Sequence, residues 1–487
     1  METVERALGF VMEALHQLAW GPGTICLLAL CDVVFSTATG FFQLRGVRFW
    51  LGRTLGAAFK GGNKRGATTA FQSACTALAA TLGTGNIAGV ATALVAGGPG
   101  AVFWMWFSAL LGTMTAYAEN VLAALYRGTD RRGDPVGGAM FYIEKGLHSR
   151  RLAAAFSFFC LLGSLGMGNM AQANSIAEGL WDAFNIPPRA TGLVVAGVIG
   201  LTIAGGVARV GRVTEKIVPF MALAYTGGAV LIVLLNIQQL PGVLAMIFRE
   251  AFSLRAGLGG AAGYGLARAL SVGVARGVSS NEAGLGSSVM ANSAAGCTPV
   301  EQGMWGIMEV AVDTLFMCTL TALAILCSGV YDLQTYAAAG ARGVLETLPN
   351  GAALTADAFR TAFGPWGGVF LAVSLSLFAF STLLGWSCYG AQAAEYLWGG
   401  RAAGIYKAVF VAVIVLGCVT RLELVWEISD TFNGFMALPN LAAVLWLSPQ
   451  VIRESRRSLP ARKGRVLNKQ RHNGRKPLQG GGFGGIL

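Results

Sequence analysis

Apolar stretches about 20 residues long follow one another along most of this sequence, and each is long enough for an α-helix to cross a lipid bilayer. Eleven of them lie at 21–42, 71–94, 98–126, 153–181, 190–207, 217–237, 263–295, 302–328, 366–397, 405–421 and 424–448. Only 12% of the residues are charged, against roughly 25% in soluble domains. Because backbone polar groups in hydrocarbon need internal partners, such segments fold as helices. We therefore predict an all-α integral membrane protein with eleven transmembrane helices.

Basic residues collect in alternate connections between these spans. The connections 43–70 and 127–152 carry six Lys or Arg each, and the tail 449–487 carries ten. The connection 182–189 on the opposite side carries one. The positive-inside rule then places the N-terminus outside and the tail in the cytoplasm of a multi-pass cell-membrane protein. Residues 1–20 are amphipathic and lack a signal-peptide cleavage site, so we expect a surface helix before a retained first span.

Two spans contain residues that a simple lipid-facing helix avoids. Residues 80–89 hold three Gly and an Asn, and residues 275–288 hold Asn281 and Glu282 among several Gly and Ser. Each backbone group freed in hydrocarbon costs several kcal/mol unless protein, ion or ligand satisfies it. Two such breaks at corresponding places in two halves indicate a binding site near the bilayer midplane.

The two halves of the chain repeat a short pattern around these breaks. Asn86-x-Ala88-Gly89 recurs 195 residues later as Asn281-x-Ala283-Gly284. The halves 71–237 and 263–448 would each hold five spans, and an odd number makes the two repeats inverted in the membrane. Residues 1–70 then supply the surface helix, one extra span and a basic cytoplasmic loop. The tail 449–487 would be cytoplasmic, in contact with anionic lipid or disordered.

The first break offers groups that suit a zwitterionic amino acid. The turn Thr84-Gly85-Asn86 begins a half-helix, whose N–H groups and positive dipole end favour a carboxylate. Gln172, in a polar run of the fourth span, can both donate and accept hydrogen bonds. Two plainer interpretations stay open: Gly85-x-x-x-Gly89 as a helix-packing pattern, and Gln172 as a bridge between helices.

The ninth span carries hydroxyls beside an aromatic side chain. Ser381 and Thr382, together with backbone carbonyls, could form the oxygen cage that alkali cations take. Trp386 could wall the pocket and limit the size of a bound side chain, or it could be an ordinary packing Trp.

Acidic residues inside spans are candidates for function by default. Four fall there: Glu119, Glu282, Glu309 and Asp313. Glu282 is the best placed, because it lies inside the second break. The other three could instead have structural roles, through pairs with Arg268 or Arg276 or at an interface.

Several classes of protein are excluded by what the sequence lacks. The nine Cys form no C-x-x-C pair, and no Walker A, H-E-x-x-H or G-x-S-x-G motif occurs. The net charge of +12 is confined to loops and the tail, unlike a nucleic-acid-binding surface. All three His lie outside the spans, which makes a histidine proton relay improbable. We expect neither an enzyme nor an ATP-driven pump, with no nucleic acid and no obligate protein partner.

The chain resembles the alanine/glycine:cation symporters, also called sodium:alanine symporters. The resemblance is carried, in order along about 70–440, by the motifs at 83–90, 97–106, 137–143, 168–174, 205–210, 280–286 and 380–386. It implies the leucine-transporter-like fold of the amino acid–polyamine–cation superfamily, a five-plus-five inverted repeat with one extra N-terminal helix. It also implies uptake of alanine or glycine, with serine or D-alanine as further candidates, driven by co-transported Na⁺ across the bacterial inner membrane.

The resemblance also implies which residues form the sites. Substrate-binding positions would be Thr84, Gly85, Asn86, Gln172 and Trp386, with the second break from Asn281 to Gly284 opposite. The cation would lie between the first break and the ninth span, at Gly83, Asn86, Ser381 and Thr382. We would expect Thr-Thr in the family where this chain has Ser381-Thr382, but a hydroxyl is retained.

Two alternatives remain besides a Na⁺-coupled symporter. A proton-coupled amino acid transporter of the same fold would need a fixed or titrating group in place of the ion, and the span 217–237 contains no internal Lys. A channel would need a continuous polar pore lining rather than two isolated breaks. The sequence leaves open the preferred amino acid and its stereochemistry, the stoichiometry, the oligomeric state and the roles of the four buried acids.

Overall fold

The computed structural model describes residues 15, 17–58, 68–129, 133, 135–253, 265–420 and 423–459, with no side-chain description for 57–58 and 423–429. The predicted surface helix at 1–20 falls almost wholly outside the described residues. So do part of the basic loop 43–70 and the tail beyond residue 459. Within the described part the chain is helical except for a two-stranded antiparallel ladder, Gly128–Thr129 with Pro135–Val136.

The N-terminal part places one long helix before the first half. The helices there are α1 (Pro22–Ala38), α2 (Phe42–Arg45), α3 (Val47–Arg53) and α4 (Leu55–Ala58). Pro22 opens α1, where its missing N–H costs nothing. The buried face of α1 includes Asp32, whose carboxylate accepts a hydrogen bond from the Thr115 hydroxyl of a later helix.

The first half contains one interrupted helix followed by long helices. They are α5 (Ala70–Thr81), a 3₁₀ turn (Thr84–Asn86), α6 (Ala88–Gly97), α7 (Gly100–Leu125), α8 (Ala139–Leu147), α9 (Arg150–Leu165), a π-helical turn (Gly166–Met170), α10 (Ala171–Phe184), α11 (Pro188–Ala204) and α12 (Gly206–Leu235). Helix α5 begins with a capping box, in which Thr69 and Gln72 satisfy each other's backbone N–H.

The second half begins after a short 3₁₀ turn, Ile237–Gln239, and the amphipathic helix α13 (Leu240–Ala251). Its elements are α14 (Leu266–Asn281), α15 (Val289–Asn292), a 3₁₀ turn (Ser293–Ala295), α16 (Pro299–Val310), a π-helical segment (Ala311–Cys318), α17 (Thr319–Cys327), α18 (Leu333–Arg342), a 3₁₀ turn (Leu345–Thr347), α19 (Gly351–Phe363), α20 (Trp366–Trp398), α21 (Gly400–Val419), α22 (Glu423–Trp446) and α23 (Ser448–Ser458). Helices α13, α18 and α19 lie in segments that the sequence analysis treated only as connections.

Among the described residues, seven of the eleven predicted spans are single helices that are long and apolar enough to cross a bilayer. The bent pair of helices at the end of the chain would be an eighth span. The remaining three are the two broken spans and α11, which has 17 residues. An all-helical membrane protein is therefore confirmed, whereas the number eleven stays a prediction.

Apolar side chains on the outside of the helices identify the lipid-facing surface. Leu193, Leu201 and Leu223 are 67%, 73% and 72% exposed, which a water-soluble protein would avoid in such number. Inside, α7 packs along both α14 and α16, and α10 packs along α20. These contacts hold the interrupted helices of both halves at the centre of the protein.

Candidate functional site

The first break lies where the sequence predicted it. Helix α5 ends at Thr81, and Gly83 has an extended backbone with φ −125° and ψ −155°. The side-chain oxygen of Asn86 accepts the Gly83 N–H at 3.0 Å, which caps the 3₁₀ turn between the two half-helices. The hydroxyl oxygen of Thr84 is buried and has no hydrogen-bond partner among the described residues. A buried group of this kind is available to a ligand.

The second break follows α14 directly. Glu282 adopts a left-handed conformation with φ 58°, and Gly284 and Gly286 have φ 91° and 73°. The Asn281 side-chain oxygen accepts the Ala283 N–H at 3.0 Å and so replaces a lost helical bond. The Ser287 hydroxyl donates to the Glu282 carboxylate at 2.5 Å. The break is thus stabilised by its own side chains.

The two breaks meet at a buried carboxylate, that of Asp313 in the π-helical segment after α16. Asn86 Nδ2 donates to Asp313 Oδ1 at 2.7 Å, and Ser280 Oγ donates to Asp313 Oδ2 at 2.9 Å. The Thr314 hydroxyl also donates to Oδ2, at 2.7 Å. Asn281 Nδ2 in turn donates to the Thr314 hydroxyl at 3.0 Å. Asp313 therefore links the first broken helix to the second through hydrogen bonds.

Asp313 is more central to the site than the sequence indicated. The sequence allowed a pair between this acid and Arg268 or Arg276, but Arg268 donates instead to the Ala96 carbonyl. Within the described residues neither arginine forms a salt bridge with an intramembrane acid. The signal that could have found Asp313 is an acidic residue in the middle of a span. The π-helical segment around it is a further feature typical of functional sites.

Gln172 of α10 borders the first break, and Trp386 of α20 lies against the turn that precedes α10. Gln172 Oε1 accepts the Thr84 N–H at 3.4 Å. Gly168, in the π-helical turn before α10, packs so closely on Trp386 that an added Cβ would lie 2.4 Å from the indole Cγ. Trp386 is 3% exposed. Of these two predicted substrate residues, Gln172 therefore contacts the turn at Thr84 directly, and Trp386 packs on the π-helical turn that precedes the helix of Gln172.

The hydroxyls of the ninth span lie at the C-terminal end of α5. Ser381 Oγ is 3.3 Å from the Ala79 carbonyl oxygen and 3.5 Å from that of Leu82, and Thr382 Oγ1 is 3.4 Å from the latter. Both hydroxyls make shorter bonds to the Phe378 carbonyl, at 2.8 and 3.1 Å. Two carbonyls and two hydroxyls therefore converge at the negative end of a half-helix dipole, where a cation is favoured.

Among the predicted cation residues, Gly83 and Asn86 make different contacts. Gly83 lies directly beside Thr382, since an added Cβ would be 2.6 Å from Thr382 Oγ1. The Asn86 amide nitrogen instead points to Asp313 and Ser280. Asn86 therefore contacts both places, because its side-chain oxygen accepts the Gly83 N–H beside Thr382 while its amide nitrogen donates to Asp313 and Ser280.

Gly284 faces away from the first break. A Cβ added there would lie 2.4 Å from Leu28 Cδ2 of α1, and its carbonyl accepts a hydrogen bond from Asn440 at 2.9 Å. Gly85, by contrast, has Ser280 as its nearest neighbour, 3.7 Å from an added Cβ. Of the predicted residues, Gly284 thus contacts the extra helix, whereas Asn281 and Gly85 lie at the junction of the two breaks.

The other buried acids hold the second broken helix in place. Glu119 accepts a hydrogen bond from Asn440 at 2.5 Å, and Glu309 accepts one from Asn292 at 3.1 Å. Sequence reasoning missed Asn440, which no local motif distinguishes. In the part of the chain that the structure describes, no group of three or more His, Cys, Asp or Glu could hold a metal ion. The carbonyl and hydroxyl oxygens near Ser381 and Thr382 are ligands of the kind that alkali cations take.

Comparisons with known proteins find similar transporters over nearly the whole chain. Residues 5–471 match the model of the sodium:alanine symporter family. The chain is 39% identical over 463 residues to the sodium/alanine symporter AgcS of Methanococcus maripaludis, covering 94% of this chain and 99% of that protein. It is 40% identical to an uncharacterized transporter of Haemophilus influenzae, covering 92% and 95% of the two chains. A solved manganese transporter of Eremococcus coleocola shares the fold, with a TM-score of 0.51, 15% identity and coverage of 82% and 83%.

Proposed function

The chain belongs to the sodium:alanine symporter family, and from this premise we propose that it imports alanine or glycine together with Na⁺. The family is one of transporters, so the expectation that the chain is not an enzyme is confirmed. The observation that carries the proposal is the meeting of both broken helices at Asp313, through Asn86 and Ser280. A shared junction lets substrate and ion bias one conformational change.

The substrate would bind along the turn of the first break. Its carboxylate would face the backbone of Thr84 and Gly85 at the N-terminal end of α6, where the helix dipole is positive. The unpartnered Thr84 hydroxyl would gain its missing hydrogen bond from this ligand. Gln172 would contact the same group, and Trp386 would limit the size of the side chain. A side chain enclosed by Trp386 would have to be small, which favours alanine and glycine, with serine or D-alanine as related candidates.

The ammonium group would lie towards the second break. Asn281 provides a side-chain oxygen there, and the half-helix α14 ends at that residue with its negative dipole end. The Asp313 carboxylate supplies the formal charge of this region. The positive ammonium group is therefore stabilised on the side opposite to the substrate carboxylate.

The co-transported Na⁺ would be bound by the oxygens at the end of α5. These come from the Ala79 and Leu82 carbonyls and the Ser381 and Thr382 hydroxyls. Gly83 keeps this space open, because any side chain there would overlap Thr382. The name of the Methanococcus maripaludis relative, a sodium/alanine symporter, supports the assignment of both ion and substrate.

The architecture would be the five-plus-five inverted repeat, with eleven spans, α1 as the extra helix, the N-terminus outside and the tail in the cytoplasm. The two interrupted helices at corresponding places of the halves 71–237 and 263–448 support it, as does the fold shared with the manganese transporter. Transport would proceed by alternating access, in which one group of helices rocks against the other around a fixed midplane site.

Uptake of labelled alanine into proteoliposomes tests the proposal. An inward Na⁺ gradient is compared with a K⁺ gradient and with a pH gradient alone. Accumulation only with Na⁺, and its loss in Asn86→Leu, is the expected result. Accumulation driven by the pH gradient alone would replace Na⁺ by protons as the coupling ion. No movement of alanine, glycine, serine or D-alanine under any gradient would contradict the proposed substrate class.

A further inference from the structure

The last described helix, α23, turns away from the final span. The helix Asp430–Trp446 and α23 (Ser448–Ser458) meet at an angle of 60°. Trp446, at the corner between them, is 74% exposed. An exposed Trp at the end of a span is typical of the membrane–water interface. The bend therefore directs α23 along the membrane surface rather than straight into solvent.

One face of α23 is fixed to the protein. Val451 and Ser455 are buried, and the Ser455 hydroxyl shares a hydrogen bond of 2.8 Å with the Tyr117 hydroxyl of α7. One turn earlier, Gln450 accepts a hydrogen bond of 2.8 Å from the Tyr126 hydroxyl. The first part of the tail, for which the sequence predicted contact with anionic lipid or disorder, is thus a helix docked on α7.

The opposite face of α23 is basic and pairs with no acidic side chain among the described residues. Arg453, Arg456 and Arg457 are exposed, follow one another at helical spacing and border Pro449 and Ile452. Within the described part of the chain none of the three arginines forms a salt bridge. Glu454 is the only acidic residue between 448 and 487, and seven more Lys or Arg follow residue 459. The sequence that follows therefore cannot neutralise this face.

We propose that this face of α23 is a binding site for anionic phospholipid headgroups, and that its occupancy sets the transport rate. Three guanidinium groups at the membrane surface attract phosphate, and Arg can bind it through two hydrogen bonds. Pro449 and Ile452 give the same face an apolar part that can contact acyl chains. An acidic protein partner could also neutralise the three arginines, but it would not explain why the helix bends towards the membrane surface.

A chain of contacts links this face to the functional site. The Ser455 and Tyr117 hydroxyls share a hydrogen bond. The Tyr117 ring packs against Gly303 of α16, since a Cβ added at Gly303 would lie 2.6 Å from the ring. Helix α16 continues into the segment that carries Asp313. A headgroup that holds α23 against the membrane would therefore stabilise the position of α16, and we expect it to change the rate of transport.

The test uses the full-length chain in vesicles of phosphatidylcholine, with or without phosphatidylglycerol, and lipid binding is measured in parallel by native mass spectrometry. The variant Arg453→Gln/Arg456→Gln/Arg457→Gln should bind phosphatidylglycerol about a hundredfold more weakly and lose the stimulation of uptake by this lipid. The matched control is Arg209→Gln/Arg212→Gln/Lys216→Gln, which removes the same charge from another basic helix face. This control should keep both properties.

Two results would overturn the proposal. Equal losses in both triple variants would mean that net charge, rather than this face, attracts the lipid. Uptake at the same rate with and without phosphatidylglycerol in the unmodified protein would mean that the lipid has no effect on transport. Ser455→Ala separates lipid binding from the effect of the lipid on uptake. This variant should still bind phosphatidylglycerol but lose most of the stimulation of uptake. An unchanged stimulation in Ser455→Ala would exclude Tyr117 as the link.

Discussion

Replacing Gly83 by Ala tests the proposed cation position through a single added methyl group. Backbone conformation does not forbid Ala there, since φ is −125°. The new Cβ would, however, lie 2.6 Å from Thr382 Oγ1, where ordinary contacts begin at 3.4 Å. The Thr382 hydroxyl must therefore move by about 0.8 Å. Overpacking of this kind costs about 1–3 kcal/mol, and at 1.4 kcal/mol per factor of ten this is about 5- to 150-fold in affinity.

We expect Gly83→Ala to need a higher Na⁺ concentration for alanine uptake, with little change in thermal stability. The Na⁺ concentration for half-maximal alanine uptake should rise about 5- to 150-fold, by the overpacking cost above, while the melting temperature stays within a few degrees. Initial rates in proteoliposomes over a series of Na⁺ concentrations measure the first quantity. Thermal unfolding in detergent measures the second.

Gly89→Ala is the matched control for this change. Gly89 lies in the next half-helix, and an added Cβ there meets nothing within 4 Å. This variant should keep the Na⁺ dependence of the unmodified protein. If Gly83→Ala also kept it, the Na⁺ would not be bound beside Thr382 and the proposed oxygen set would be wrong.

Three further changes probe the rest of the site. Asp313→Ala would leave three buried donors without their acceptor. It should lower the free energy of unfolding by about 3 kcal/mol or more, seen as a lower melting temperature. Asp313→Asn should keep most of the stability but impair Na⁺-driven uptake. Gly168→Ala would displace the Trp386 indole and should raise the KM for alanine about tenfold, in line with 1–3 kcal/mol of overpacking; an unchanged KM would place Trp386 outside the pocket. Gly284→Ala should lower the melting temperature, because φ is positive there and the new Cβ would overlap Leu28. Adding Leu28→Ala to this variant should restore part of the lost melting temperature.

The spans and the two breaks were predictable because they rest on local composition. Apolar stretches of about 20 residues have few alternative interpretations, and the recurrence of the Gly clusters in both halves favoured two breaks over ordinary helix packing. The positions of Gly83 and Glu282 at the interruptions follow directly from such patterns.

The partners of individual polar side chains were not predictable, because they depend on contacts between distant parts of the chain. Asp313 reaches Asn86 across 227 residues of sequence, and Asn440 reaches Glu119 across 321. The direction of Gly284 towards Leu28 depends on the position of the extra helix α1, which no repeat pattern specifies.

The short helices between spans were also missed. Helices α13, α18 and α19 have 12, 10 and 13 residues, too few for a transmembrane pattern, and hydropathy alone treats them as connections. Helix α23 was assigned to the tail because of its three arginines, whereas its buried face consists of two small or apolar side chains, Val451 and Ser455. Such a narrow stripe is easily overlooked in a basic segment.

Linked binding of alanine and Na⁺ to the purified protein tests the central claim most directly. Calorimetric titration would measure the affinity for alanine in Na⁺ and in K⁺, and then the affinity for Na⁺ with and without alanine. If both ligands bind around the first break and bias one conformation, each should tighten the other by the same factor, about tenfold or more. An affinity for alanine that is identical in Na⁺ and K⁺ would contradict coupling at this site.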